Sequence, residues 1–263
     1  MPELPEVESY RGLAERAALH RPVVKVHAPD AWYLKHGLDA ASLDAHLRGR
    51  RFTAARRIGK LLLLETDGGD GPVVGLRFGM TGRLVVDDAV GVEELIYSSN
   101  RPERAWDRVT IRFDDGGELR MRDPRRLGGI ELDPDEARLG ADARTITPAA
   151  LRDALAGSVA PLKARIMDQA RVAGVGNLIA DEALWRAGLA PTREARSLDA
   201  NELRRLHRHL RATVEDLIGR GGSHTGDLLP HRQPGGRCPK DGTGLVRATV
   251  GGRTTWWCPK HQR

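Results

Sequence analysis

Cysteine is nearly absent from this chain of 263 residues: there are two, Cys238 and Cys258, and both fall in the last segment. In a reducing compartment such a pair is not expected to form a structural disulfide. Their similar Cys-Pro-Lys contexts point instead to a metal or hairpin role. Long hydrophobic runs are missing too. No apolar run approaches the roughly 18 residues of a membrane span, and the acidic stretch Met1–Tyr10 does not read as a signal peptide. The expectation is a cytoplasmic protein with no membrane partner. Internal repeats and low-complexity tracts are also lacking, which excludes solenoid architectures. What is present is ordinary for a globular protein, with 40% hydrophobic and 30% charged residues. The formal net charge is +6 and its basic residues are overwhelmingly arginine. Arginine presents a planar fork to phosphates and base edges, so a nucleic-acid partner is one reading. A genome rich in arginine codons is the other, and composition does not separate them.

The pattern along the chain changes once. A helix is expected over Val7–Leu19, with Pro5 and Glu6 suited to its start. Short β-branched and aliphatic segments follow at Val23–Val26, Arg51–Leu64, Val73–Arg77, Gly82–Val86, Arg108–Phe113 and Glu118–Arg122. Turn-like separators such as Asp114-Asp115-Gly116-Gly117 make this an antiparallel β-sandwich or barrel. From Asp133-Pro134-Asp135 onward the periodicity is helical, with helices expected at Ala149–Ala156, Leu162–Gln169, Leu178–Ala187 and Asp199–Gly219. Cys238–Arg263 reads as strand–turn–strand around Gly251-Gly252. The expected fold class is α+β, in three parts: a sandwich over 1–132, a helical part over 133–222 and a finger-like hairpin over 223–263.

The opening Met1-Pro2-Glu3-Leu4-Pro5-Glu6 carries chemistry of its own. A small residue at position 2 permits removal of Met1, which leaves a free proline amine. An α-amine titrates near pH 8, against about 10.4 for lysine, so far more of it is neutral at pH 7. Such an amine is a ready nucleophile toward a sugar carbon, and as a secondary amine it forms an iminium that withdraws electrons. Glu3 beside it can act as general acid or base. The bland alternative is that Pro2 and Pro5 only stiffen the start of a helix. Further on, Gly174 and Gly176 allow a tight turn that offers backbone N–H groups and Asn177 to a phosphate at a helix start.

This N-terminus resembles that of the formamidopyrimidine-DNA glycosylase and endonuclease VIII family, and is closer to the first branch. Gly59-Lys60 after Arg56-Arg57 is similar to the family's lysine strand. Phe78-Gly79-Met80-Thr81-Gly82 is similar to its methionine loop, and Asp123-Pro124-Arg125-Arg126-Leu127-Gly128 to its wedge loop. Leu162-Lys163, Asp168-Gln169 and Gly174-Val175-Gly176-Asn177 resemble its helix-two-turns-helix. The likeness runs in order through essentially the whole chain. It implies a monomeric DNA-repair glycosylase with lyase activity, acting on damaged double-stranded DNA held in a basic cleft. Pro2 would be the nucleophile, Glu3 its acid–base partner and Glu6 a supporting carboxylate. Lys60, Lys163, Asn177 and Arg253 would grip phosphates, Lys60 and Arg253 at the catalytic centre itself. Met80, Arg125 and Leu127 would fill the space left by an everted base, as extrusion requires. An abasic-site lyase, an enzyme preferring oxidised pyrimidines and a catalytically weak binder of damaged DNA are the alternatives.

The chain departs from that pattern at four places. The family's terminal finger is spaced C-x2-C-x16-C-x2-C, and here reads Cys238-x2-Asp241-x16-Cys258-x2-His261. Both replacements are types that bind zinc, so one zinc ion per chain is expected. A zinc-free hairpin stapled by a direct Asp241–His261 pair is the alternative. The segment between Gly221-Gly222 and Cys238 is short, without the longer capping loop and the Tyr-Gly-Arg of the 8-oxoguanine branch. Leu127 stands where Phe is usual, and Ile179 where Tyr is usual.

Overall fold

The structure, a computed structural model, describes residues 2–96 and 98–263. They form two compact units, one of residues 2 and 6–136, the other of residues 3–5 and 137–263.

The first unit begins with helix α1 (Leu4–Ala17), whose first turn belongs to the second unit. Then come β1 (Val23–His27), α2 (Ala40–Leu47), β2 (Phe52–Ile58), β3 (Leu61–Thr66), β4 (Val73–Arg77) and β5 (Arg83–Val86). β6 (Ala89–Val90), β7 (Asp107–Phe113), β8 (Glu118–Arg122) and β9 (Gly129–Leu132) complete it. Two antiparallel sheets result, ordered β1-β7-β8-β5-β6 and β2-β3-β4-β9. Strand alternation sends Leu62, Leu64, Val74 and Leu76 from one sheet and Leu84, Val109, Ile111 and Met121 from the other into one core. Phe52 and Phe113 meet edge to face there, with ring centroids 6.5 Å apart.

The expected strands are present with two differences. Arg51–Leu64 is two strands, because Gly59 at φ +56 lets Gly59-Lys60 close a two-residue turn between β2 and β3. β6, β9 and α2 are additional: β6 has only two residues, β9 sits among glycines that weaken any strand signal, and α2 is short, though Asp39 caps it by accepting from the Ser42 N–H at 2.7 Å. Helix α1 starts three residues earlier than expected and ends two earlier.

The second unit contains β10 (Ala141–Asp142), α3 (Pro148–Leu155), α4 (Leu162–Ile166), β11 (Val172–Ala173), α5 (Asn177–Ala187), α6 (Ala200–Gly219), and the hairpin β12 (Val246–Val250) and β13 (Arg253–Trp257). Helix α6 opens with a capping box, in which the Asp199 side chain accepts from the Glu202 N–H and the Glu202 carboxylate accepts from the Asp199 N–H. Its apolar stripe, Leu206, Leu210, Val214 and Leu217, packs in one core with Ile179, Ala183 and Leu184 of α5. Helix α4 is shorter than the expected Leu162–Gln169, because the chain turns at Asp168, where the side chain caps Ala170 and the carbonyl accepts from Val172. Among the described residues no helix is long and apolar enough to cross a membrane.

Helix α1 is pinned to β2 by a largely buried cluster: Glu8 accepts from Arg57 Nε at 2.9 Å and Arg11 Nε at 2.8 Å. Burial alone would raise the Glu8 pKa, but the bonds from Arg57 and Arg11 outweigh it and hold the carboxyl below its usual value. A carboxylate depressed in the folded state stabilises above its unfolded pKa, and loses that contribution as pH falls through the folded one. Glu8→Gln is therefore expected to cost about 1.5–3 kcal/mol at pH 7. At pH 3, below the unfolded value, the wild-type protein has begun to lose this advantage, and the gap between the two should shrink. Urea unfolding of both proteins at the two pH values measures it, and an equal gap at both would remove the ion pair as the cause.

Candidate functional site

The helix-two-turns-helix turn is built to receive a carboxylate. Gly174 has φ +104, and Gln169 locks the turn by accepting from the Gly174 N–H at 3.0 Å while donating to the Val175 carbonyl at 2.9 Å. At the start of α5 the N–H groups of Leu178 and Ile179 point at Glu3, which accepts from them at 2.9 and 3.1 Å. The first N–H groups of a helix lack partners within it, and the positive end of the helix dipole favours an anion there. Glu3 is buried at 1% exposure, and the Leu4 N–H is held by the Gly174 carbonyl at 3.2 Å. Gly176 is required by contact, not by φ: a Cβ there would lie 2.1 Å from Glu3 Cδ. The sequence reading sent these N–H groups to a phosphate. The structure gives two of them to Glu3, a placement that a separation of 175 residues conceals.

Pro2 and Glu6 are buried, Lys60 is half-buried at the β2–β3 turn, and Arg253 is exposed at the start of β13. The turn before Arg253 needs its glycines. Gly251 has φ +57, and a Cβ on it would lie 2.8 Å from Ala164 Cβ, so the hairpin tip seats directly on α4.

Lys163, expected to grip a phosphate, is enclosed by the chain's own groups. Its side chain has 0% exposure, and its ammonium donates to Asn177 Oδ1 and Thr255 Oγ1, both at 2.7 Å, and lies 2.7 Å from Asp181 Oδ1. Burial pushes this ammonium below its ordinary pKa, with Asp181 opposing. An enclosed ammonium with these partners holds Asn177 and β13 in place. Asp181 also pairs with Arg232 at 2.8 Å, which ties the short 223–237 segment to α5. Sequence reasoning missed both residues. Asp181 lies four residues after Asn177, on the same side of the helix, and that spacing was the available signal.

In the first unit, Met80, Arg125 and Leu127 come together on one pair of loops. Gly79, at φ +55, packs so closely that a Cβ would lie 2.4 Å from the Leu127 carbonyl carbon. Asp123, fully buried, accepts from Thr81 Oγ1 and from the N–H groups of Arg125 at 3.2 Å and Gly128 at 2.8 Å, so one carboxylate shapes both loops. Arg125 is exposed, Met80 is half-buried and Leu127 is 49% exposed. An exposed leucine on a tightly held loop is not acting as core.

The four finger residues converge. Cys238, Asp241, Cys258 and His261 each offer a ligand atom, all within 4.8 Å of one another. Cys238 Sγ lies 3.5 Å from His261 Nδ1, Cys258 Sγ lies 3.4 Å from Asp241 Oδ2, and His261 Nδ1 lies 3.5 Å from Asp241 Oδ2. Tetrahedral zinc with Zn–S near 2.3 Å and Zn–N or Zn–O near 2.0 Å has donor–donor edges of about 3.3–3.8 Å, which these separations match. A direct Asp241–His261 hydrogen bond would be shorter. His261 Nε2 lies 3.1 Å from the Trp185 carbonyl, which can only accept, so Nε2 carries the proton and Nδ1 turns its lone pair to the cluster. The cluster can hold a metal ion.

Comparison with known proteins agrees with this geometry. Residues 1–130 match the formamidopyrimidine-DNA glycosylase N-terminal domain and residues 139–227 match the formamidopyrimidine-DNA glycosylase H2TH domain. The chain is 35% identical over 289 residues to the formamidopyrimidine-DNA glycosylase of Stenotrophomonas maltophilia, with 100% of each chain covered. It is 36% identical over 288 residues to that of Xanthomonas campestris, again covering 100% of both. Fpg of Lactococcus lactis, solved with a FAPY-dG-containing DNA, superposes with a TM-score of 0.83 at 25% identity, covering 99% of this chain and 100% of that one. The fold and its turn put the chain in the helix-two-turns-helix class. More narrowly, it belongs to the formamidopyrimidine-DNA glycosylase family.

Gly176→Ala tests the Glu3 seat. The added methyl must displace the carboxylate, and a shift of about 1 Å at a reacting group costs on the order of 100-fold in rate. Gly219→Ala, where a Cβ meets nothing within 4 Å, is the control. Release of an oxidised base from duplex DNA should fall steeply in the first variant only, and equal rates in both would remove the steric argument.

Proposed function

We propose that this chain excises damaged bases from double-stranded DNA and then cuts the strand as an abasic-site lyase, with Pro2 as nucleophile. The observation that carries the reading is the seating of Glu3, next to Pro2 in sequence, on two backbone N–H groups of α5. A carboxylate immobilised in this way suits proton transfer at a fixed point. It also restrains the residue attached to it.

Once Met1 is removed, the neutral amine of Pro2 attacks C1′ of the damaged nucleotide. The C1′–N bond breaks, and the base leaves with its electron pair and takes up a proton. Glu3 gives a proton to the sugar ring oxygen as the ring opens, and an iminium forms between Pro2 and C1′. The iminium draws electrons from C2′, where a proton is lost, and the 3′ phosphate is expelled. A second elimination releases the 5′ side, and water frees the amine. Glu6, also buried, supports the charge of this centre. Lys60 and Arg253 hold the phosphates there, with Asn177 oriented by Lys163. Arg125 faces the orphaned base, and Met80 and Leu127 occupy the vacated stack.

Zinc is the metal we assign to Cys238, Asp241, Cys258 and His261, on the strength of two thiolates, an imidazole and the edge lengths above. It would supply a structural staple: among the described residues the local core is small, Trp185, Leu228 and the two cysteines with Leu245 packed against them, and the hairpin it steadies carries Arg253. Elemental analysis after exhaustive dialysis should find one zinc per chain in the wild type and much less in Cys258→Ser. A zinc-free wild type with full activity would overturn the assignment.

The short 223–237 segment favours a broad lesion range within this function. It folds into two 3-10 turns, Ser223–Thr225 and Leu229–His231, and places Leu228 in the core and Arg232 on Asp181. Leu228 and Arg232 anchor it at two points, and the exposed residues 233–235 are too few for an extended cap over a purine.

Borohydride trapping on abasic-site DNA tests the nucleophile. Wild-type protein should form a covalent adduct. Pro2→Gly should trap far less, and protein retaining Met1 should not trap at all, while both still bind DNA. Native-rate cleavage by the Met1-retaining form would rule Pro2 out.

A further inference from the structure

The most exposed large apolar side chain among the described residues is Trp32, at 68% exposure. A tryptophan left in water forgoes the burial of one of the largest apolar surfaces a residue can offer. Its surroundings are rigid. Trp32 lies in a single 3-10 turn, Ala31–Tyr33, capped by Asp30, which accepts from the Trp32 N–H at 3.2 Å. The neighbouring Tyr33 is fully buried.

Several bonds tie this turn to the loop that carries Arg125 and Leu127. Arg126, held at φ +57, forks onto Asp30 with bonds of 2.6 and 2.7 Å. That arginine holds the Asp30 carboxyl below its ordinary pKa. Gly128 and Gly129 lie directly against the turn: a Cβ would fall 2.5 Å from Tyr33 Oη in the first case and 2.3 Å from Lys35 Cε in the second. The Lys35 N–H donates to the Ile130 carbonyl at 2.9 Å. The ring therefore keeps a set position relative to Leu127 and Arg125. Its rim is cationic, with the Lys35 ammonium 5.3 Å from the ring centroid and Arg126 and Arg108 lining the adjoining hollow.

We propose that Trp32 is a second stacking platform, which receives a nucleotide of the strand opposite the lesion, beside the orphaned base. This rests on the DNA-binding function proposed above and extends it to a residue outside the motifs of the resemblance. An aromatic face flanked by cations is the chemistry that holds bases with little regard to sequence. Tethering to the wedge loop makes its engagement coincide with insertion of Arg125 and Leu127.

The test uses the full-length protein and a duplex bearing a tetrahydrofuran abasic analogue, with 2-aminopurine at successive positions of the opposite strand. Trp32→Ala should weaken binding about tenfold and abolish the fluorescence change at one of those positions. Trp32→Phe should restore most of both. The salt dependence should be the same in Trp32→Ala as in the wild type, because stacking releases no counterions, whereas Arg253→Gln should lower the slope by about one unit. Circular dichroism confirms folding of an exposed-site variant. Affinity within twofold of wild type, or an unchanged fluorescence pattern in Trp32→Ala, would overturn the platform. Failure of the wild type to trap on borohydride would count against the Pro2 mechanism and leave this binding result readable.

Discussion

The carboxylate of Glu3 on the first N–H groups of α5 is the interaction on which the rest of the candidate site depends. It uses an anion of the chain's own to satisfy a helix end, the place where a helix most readily takes negative charge. The Gly-Val-Gly turn exists to allow it: Gly174 supplies the left-handed backbone and Gly176 supplies the space. Fixing Glu3 also fixes what is attached to it, so a chain terminus, ordinarily among the most mobile parts of a protein, acquires a defined position. In the mechanism we propose, Pro2 is joined to this anchor by one peptide bond and needs little further ordering.

The second unit repeats the device with buried charge. Asp181 lies 2.7 Å from the Lys163 ammonium and 2.8 Å from the Arg232 guanidinium, and the hydrogen bonds of Lys163 run on to Asn177 and Thr255. Buried charges are costly unless paired, and removing one member would leave the others uncompensated. The arrangement therefore specifies one geometry for α4, α5 and the hairpin. The finger cluster complements it from the far end of the same hairpin, through Trp185, whose indole donates to Cys238 Sγ at 3.4 Å and whose carbonyl meets His261. Two altered finger positions are thus compatible with a metal, because the residues that replace cysteine still converge with lone pairs facing inward.

In the first unit the same economy appears in Asp123, a single buried carboxylate shaping the Met80 loop and the wedge loop together. Its position within Asp123-Pro124-Arg125-Arg126-Leu127-Gly128 was visible in sequence, but its partners were not. Nor was Trp32, which sits in no motif and becomes notable only when its exposure and its ties to Arg126 and Gly128 are known.

Local sequence by itself determined most of the secondary structure. The aliphatic segments Val73–Arg77 and Glu118–Arg122 between turn-like separators, and the Asp199 cap with Glu202 three residues later, are short-range signals that need no tertiary context. Motif spacing likewise determined which residues to examine, including the four at the finger. The tertiary structure decided what each of them does. It turned Lys163 inward to Asp181, gave the α5 N–H groups to Glu3, split Arg51–Leu64 at a left-handed glycine and brought Arg232 onto Asp181. The physical reason is that burial and ion pairing are set by residues far apart in the chain. Whether a lysine meets a phosphate or a carboxylate depends on what packs over it, and spacing along the chain carries no record of that.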